Sequence, residues 1–287
     1  MRNFISEDDI EQAILQKLEG DPFQYGILRC DPSPDKRELL PDGTGRSSKK
    51  ECVLPLVLRE ALARLNPGIP GKKLEEIARD LCRDFSATDM TATNYKYYNQ
   101  IRNGIKISLR RNGKEDFDFV KMVDFDCPEN NTFTAVSQMW IQGRIYWRRP
   151  DVLIFINGLP MVFVELKNSI VKVEEAYNDN LKNYLRDIPN LFAFNQICVL
   201  SNGLETRLGA FNATYNHFFE WLKVNSEKER PDRQALKEAG TVGESSVRYF
   251  IDGLLRKDRL VDYIENFIMF RNQKNKIIAK NHQYFGV

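Results

Sequence analysis

Histidine is nearly absent from this sequence: His217 and His282 are the only two in 287 residues. That is too few for a histidine-rich metal centre or for catalysis built on several imidazoles. The five cysteines (Cys30, Cys52, Cys82, Cys127 and Cys198) form no CxxC pair and are odd in number. That excludes a regular disulfide framework and a thiolate zinc site, and it predicts reduced thiols. No long uncharged apolar run exists, and the N-terminal MRNFISEDDIEQ lacks the apolar core of a signal peptide. Neither membrane insertion nor secretion is expected, so the sequence is placed in the cytoplasm. An excess of one charge is also missing: 42 Lys+Arg stand against 40 Asp+Glu. Any nucleic-acid contact must therefore come from local clusters rather than from a global field.

What is present is the pattern of an ordinary globular protein, 42% hydrophobic and 29% charged, long enough for two small domains or one large one. Ser6 with Asp9 marks a helix start, Ile10, Ile14 and Leu18 share one face, and Gly20 ends it. Residues 31–50 hold three prolines, two glycines and a charge run, and read as an exposed loop. Helical periodicity recurs over Leu54–Leu65, Leu74–Phe85 and Thr91–Arg102. Strand-like runs follow at Phe117–Phe125, Thr132–Ile141, Asp151–Ile156 and Met161–Lys167, the last two joined by Asn157-Gly158-Leu159-Pro160, a hairpin signal. Helical spacing through Val173, Tyr177, Leu181, Tyr184 and Ile188 precedes an apolar run, Phe194–Leu200. Residues 225–247 read as a polar linker and Val247–Phe270 as one amphipathic helix.

The chemistry concentrates in one strand. In Met161–Lys167 an otherwise apolar run carries Glu165 and Lys167, and period-two geometry puts both on one face. Buried charges need partners, a metal or a solvated cleft. A hairpin loop of two to four residues sets Asp151 opposite position 164, 165 or 166, and the three-residue register sets it across from Glu165. Two ionised carboxylates about 4 Å apart repel by about 4 kcal/mol at an effective dielectric near 20, so either one is protonated or a cation sits between them. Oxygen donors without thiolate or imidazole favour Mg²⁺, with Mn²⁺ an alternative, and such ions complete their shell with water and substrate phosphates. The pattern points to metal-assisted phosphodiester hydrolysis with Lys167 positioning the nucleophile. Glycoside hydrolysis by paired carboxylates leaves Lys167 without a role.

Pro150-Asp151 followed by Glu165-Leu166-Lys167 matches the PD-(D/E)xK nuclease motif. The stretches CPENNTFTAVSQMWIQG, RRPDVLIFINGLPMVFVELKNS and IPNLFAFNQICVLSNG resemble the N-terminal nuclease domain of the R subunit of type I restriction-modification enzymes, densely over residues 89–223 and more loosely along the whole chain. The resemblance implies an α/β fold with a restriction-endonuclease-like core, a central mixed sheet with flanking helices, N-terminal helical elements and a C-terminal helical extension. It implies a nuclease domain over 1–224, then a linker and helical segment over 225–287 leading toward a helicase-like motor. Asp151 and Glu165 are then metal ligands, the Leu166 backbone carbonyl is a further one, and double-stranded DNA is the substrate. Methylation and specificity subunits are the implied partners, and ATP would act only through motor domains, because no phosphate-binding P-loop occurs here.

Related exonuclease-like members carry Gln-x-x-x-Tyr on the next helix; the matching positions here are Asn180 and Tyr184, one methylene shorter at the amide. Arg144, Arg148 and Arg149, just ahead of Asp151, are candidate DNA contacts, and a second basic group runs through Arg102, Lys106, Arg110, Arg111 and Lys114. Near the end, IIAKNHQYFGV resembles the segment ahead of such motors, with Gln283 at the adenine-reading position. That ending suggests a fragment of a larger protein. The competing expectation is a catalytically silent nuclease fold used for DNA docking or assembly.

Overall fold

The computed structural model describes residues 4–83, 89–111 and 114–287. Its centre is a mixed seven-stranded sheet built from β1 (Gly26–Arg29), β2 (Phe133–Ser137), β3 (Val152–Ile156), β4 (Leu159–Leu166), β5 (Ile197–Ser201), β6 (Thr206–Gly209) and β7 (Phe219–Glu220). The strands lie side by side in chain order. The β1–β2 and β4–β5 pairs are parallel and the others antiparallel. This is the α/β architecture with a mixed sheet and flanking helices that the sequence pointed to.

Every residue of β3, β4 and β5 is buried, because helices cover both faces of the sheet. One face packs on α1 (Glu7–Glu19), α2 (Pro55–Leu65), α3 (Gly71–Cys82), α4 (Met90–Asn103) and two C-terminal helices, α5 (Val247–Leu254) and α6 (Lys257–Asn266). On the other face Phe163, Leu153 and Phe155 meet Val173, Leu181, Tyr184 and Phe192 from the segment that follows β4. The start of α1 follows its sequence signature: Ser6 and Asp9 form a reciprocal capping box, with Asp9 N–H donating to Ser6 Oγ at 3.1 Å.

The central hairpin reaches its register by an unforeseen route. Asn157 and Gly158, at φ of +52° and +80°, make a two-residue turn that pairs Ile156 with Leu159. Carried straight on, that pairing would set Asp151 against Val164. A bulge in β4 shifts it, so that Ile154 faces Val162 and Val152 faces Val164, which brings Asp151 level with Glu165. Met161 and Val162 accordingly join the same side of the core. The three-residue register expected from sequence thus arises from two turn residues plus one bulge. Gly158 admits no side chain, since a Cβ would lie 2.6 Å from the Leu54 carbonyl oxygen.

The Phe117–Phe125 run is a strand only to Val120, and it pairs with Ile105–Arg111 in a separate hairpin outside the main sheet. There Arg110 faces Glu115 and Lys106 lies 4.2 Å over the Phe117 ring, so the basic run is matched by an acidic strand; the side chains of Arg111 and Lys114 lie outside the described residues. α3 begins at Gly71 and ends at Cys82, and residues 84–88, where the expected helix would continue, are outside the described part. The amphipathic stretch 247–270 is two helices and the first strand of a terminal hairpin, Ile268–Arg271 with Asn275–Ile278. Leu255 ends α5, and its carbonyl accepts from the Tyr25 hydroxyl at 2.7 Å.

The loop 31–50 turns inward in its second half. Asp42 accepts from Arg46 and Lys49, each at 2.7 Å, and both cations are buried. Burial alone would raise the Asp42 carboxyl, but hydrogen bonds from Lys49 and Thr44 and the Arg46 charge hold it far below the usual carboxylate range. Arg46 also donates to the Trp140 carbonyl at 3.1 Å. Sequence periodicity carries no trace of this knot, because its contacts join charged residues of a loop to a distant segment.

Candidate active site

Asp151 stands at the entrance to β3 and Glu165 near the end of β4, both on the face covered by Val173–Asp187. Leu166 N–H donates to Asp151 Oδ2 at 2.7 Å, which fixes that carboxylate against the neighbouring strand. Glu165 is 2% exposed. One of its oxygens accepts from Asn180 Nδ2, and the other, Oε2, is buried without a hydrogen-bond partner. Lys167 Nζ lies 3.7 Å from Glu165 Oε1 and donates to the Leu166 carbonyl at 3.1 Å. The ammonium therefore already sits against two of the oxygen groups expected to bind a cation. The structure brings Asp151, Glu165, Lys167 and the Leu166 carbonyl into one cluster.

The helix carrying Asn180 contains a π turn over Ala176–Leu181 between short α segments. Such turns insert one extra residue and redirect side chains. Asn180 reaches Glu165 despite its shorter side chain. Tyr184 packs its ring edge-on against Phe163, and its hydroxyl donates to the Arg149 carbonyl at 3.1 Å and interacts with Glu165 and Asn180. It is 6% exposed, so it anchors the segment leading into Asp151 rather than presenting a free phenol.

Two further residues lie beside the cluster that sequence reasoning did not single out. Glu11, on α1 and buried, accepts from Gln138 Nε2. The same amide nitrogen lies 3.4 Å from Asp151 Oδ1. Gln138 has a left-handed backbone, φ +56°, and its main-chain N–H donates to the Asp151 carbonyl at 3.0 Å. Its Oε1 is buried without a partner. The available signal was weak: a glutamate on the apolar side of α1, one residue after Ile10, at a position where a buried charge needs a reason.

Burial dominates the electrostatics. It pushes the Asp151 carboxyl up to about 6, against the opposing Leu166 hydrogen bond and Lys167 charge. Burial and then the Asp151 charge raise Glu165 well above its ordinary value, and burial raises Glu11. Carboxyls with folded pKa values above their unfolded values take up protons on folding. Their contribution is fully present at low pH and is lost as pH rises through the folded value. In chelator, the melting temperature is therefore expected to fall between pH 4 and 7, with Asp151 contributing about 2–3 kcal/mol of that change. The Asp151→Asn variant should show a flatter profile in calorimetry. Equal slopes for the two proteins would rule this out.

The three arginines ahead of Asp151 separate in role. Arg148 pairs with Asp187, with Nε at 2.8 Å, and Arg149 NH1 donates to the Pro32 carbonyl at 2.5 Å while its guanidinium lies over Trp140. Arg144 is exposed at the tip of a small hairpin formed by Ile141–Gln142 and Trp147–Arg148. Gln283 is far from the cluster in sequence and caps its own short helix, its Oε1 accepting from Lys280 N–H at 2.8 Å.

Hard oxygen donors, one of them a buried carboxylate oxygen lacking a partner, fit a divalent cation such as Mg²⁺, which takes one or two protein carboxylates. No group of three or more His, Cys, Asp or Glu side chains is gathered into a closed cage among the described residues. Nor is any helix among them long and apolar enough to cross a membrane.

Known proteins match along nearly the whole chain. The family model described as "Type I restriction enzyme R protein N terminus" matches residues 4–217. The chain is 31% identical over 291 residues to the type I restriction enzyme HindI endonuclease subunit of Haemophilus influenzae, covering 99% of this chain and 26% of that one. It is 29% identical to the putative type I restriction enzyme MjaIXP endonuclease subunit of Methanocaldococcus jannaschii, covering 97% and 27%. With the SauCOLORF180P endonuclease subunit of Staphylococcus aureus the identity is 27%, covering 97% and 26%. The chain thus spans about a quarter of the length of these relatives. It belongs to the family of type I restriction enzyme R protein N-terminal regions.

Proposed function

We propose that this region is a Mg²⁺-dependent endonuclease that hydrolyses phosphodiester bonds of double-stranded DNA. The observation that carries the reading is the convergence of Asp151, Glu165 and Lys167 on one sheet face, with Glu165 Oε2 buried and unpartnered. Asp151, Glu165 Oε2 and the Leu166 carbonyl would hold the cation, which supplies a water of lowered pKa and positive charge at the scissile phosphate. Lys167 orients the attacking water and offsets negative charge developing on the phosphoryl oxygens. Asn180 holds one Glu165 oxygen so that the other faces the site. Gln138 links Glu11 to Asp151 and fixes the height of α1 over the cluster. Arg144 and Arg149 face the DNA backbone, while Arg148 braces the loop that carries them.

Cleavage follows ATP-driven translocation by motor domains elsewhere in the protein, where Gln283 would stand near the adenine, and site choice rests with separate methylation and specificity subunits. The test is Mn²⁺ binding followed by electron paramagnetic resonance, together with Mg²⁺-dependent nicking of supercoiled plasmid. One bound Mn²⁺ is expected, lost in Asp151→Ala, with nicking abolished by chelator. A protein that binds no divalent ion sinks the assignment and leaves a silent docking module.

A further inference from the structure

Between Glu129 and Asp151 the chain carries no Asp or Glu at all, yet it contains Arg144, Arg148 and Arg149. This acid-free stretch includes a hairpin that stands outside the main sheet, pairing Ile141 with Arg148 and Gln142 with Trp147. Gly143 N–H donates to the Tyr146 carbonyl at 2.8 Å, which leaves Arg144 and Ile145 as the two tip residues. Ile145 is 80% exposed and Tyr146 54% exposed. An aliphatic side chain presented so fully at a turn has lost its burial free energy, and a turn of this kind gains nothing from isoleucine, which favours strands.

The tip is braced. A Cβ on Gly143 would fall 1.9 Å from the Asp187 carbonyl oxygen, so the turn is pressed against the end of the Lys182–Asp187 helix. The Asp187 carboxylate, itself buried, holds Arg148 and Arg186 together. Their guanidinium groups lie 5.9 and 6.0 Å from the Tyr146 ring centre. An apolar knob is thereby fixed in place, surrounded by Arg144, Arg148 and Arg186, with the nearest acid already paired.

We infer that Ile145 is a wedge that enters a groove of duplex DNA and opens a base step within a few steps of the scissile phosphate, while Arg144 and Arg186 hold the flanking phosphates. Inserted aliphatic side chains partly unstack base steps at a cost of a few kcal/mol, offset by the added backbone contacts of a bent duplex. Bracing against Asp187 means the tip loses little freedom on binding. Ile145 lies six residues before Asp151, so the wedge acts within about 21 Å of the site, or about six base-pair steps along one strand. This rests on the nuclease reading above and adds how the substrate is deformed.

The test uses this chain with Ca²⁺ replacing Mg²⁺ and a set of short duplexes bearing 2-aminopurine at each position in turn. Binding is followed by anisotropy and unstacking by 2-aminopurine fluorescence. Wild type is expected to raise the fluorescence several-fold at some positions. Ile145→Ala should lose that rise while binding changes less than threefold, and Ile145→Leu should retain it. Binding by wild type without a rise, or an equal rise with Ile145→Ala, overturns the wedge and leaves the nuclease reading standing. Failure of wild type to bind duplex overturns both. A change of oligomeric state on Ile145→Ala, seen by sedimentation, would assign the tip to a contact between copies and likewise overturn the wedge.

Discussion

Lys167→Ala is expected to lower Mg²⁺-dependent plasmid cleavage by about 10²–10³-fold, the loss that follows removal of one fixed charge or donor aimed at a developing oxyanion. Mn²⁺ binding should survive, because Lys167 contributes no oxygen ligand and withdraws an ammonium that lies 3.7 Å from Glu165 Oε1. With the ammonium gone, the raised Glu165 carboxyl loses its main opposing charge, so its pKa moves up further and the affinity for Mn²⁺ becomes more dependent on pH. Lys167→Arg keeps the charge but replaces a compact ammonium by a planar fork, and it is expected to recover only a small part of the rate. The decisive measurement is single-turnover cleavage by the protein in its complete restriction complex, alongside Mn²⁺ titration of this chain. Undiminished cleavage by Lys167→Ala would end the proposed role for this residue.

Lys276→Met is expected to destabilise the fold by about 2–4 kcal/mol, because it leaves buried acceptors without a donor. The ammonium is buried between the terminal hairpin and the main sheet, donating to Asn94 Oδ1 at 3.1 Å, the Asn195 carbonyl at 2.6 Å and Gln196 Oε1 at 2.7 Å. The rings of Tyr98, Phe211 and Phe270 lie within 6.0 Å. Removing the nitrogen leaves Asn94 Oδ1 and Gln196 Oε1 unpaired, whereas the Asn195 carbonyl keeps a bond from Asn94 Nδ2. Burial pulls the Lys276 pKa down from its ordinary 10.5. In the window below 10.5 the unfolded chain therefore binds more protons than the folded one, and stability gains from this residue as pH rises. Denaturant titration at neutral and alkaline pH checks both statements. A midpoint unchanged by Lys276→Met would show that the ammonium cage contributes nothing.

The contrast between these two lysines separates what local pattern reveals from what it hides. Lys167 was legible because it interrupts an apolar strand two residues after a glutamate, beside an Asn-Gly turn that fixes its partner strand. Lys276 sits in a polar stretch, KNKIIAK, with no pattern marking it as buried. Its acceptors Asn94, Asn195 and Gln196 lie at least 80 residues away. The same holds for Glu11, joined to Gln138 across 127 residues, and for Arg46, which reaches Trp140 across 94.

Sequence alone determined the meander of β2, β3 and β4, the capped helix α1 and the placing of Glu165 and Lys167 on one face of the strand paired with the one that follows Asp151, because turn chemistry, capping and strand period act over a few residues. Tertiary structure decided the rest. The bulge in β4 set the register, the π turn let a short asparagine reach Glu165, and helix α1 laid Glu11 beside Asp151. It also broke the long C-terminal amphipathic run into two helices and a hairpin held down by Lys276. In each case the deciding free energy is that of satisfying a buried polar group, and its partner is chosen by the packed sheet rather than by neighbours in the chain.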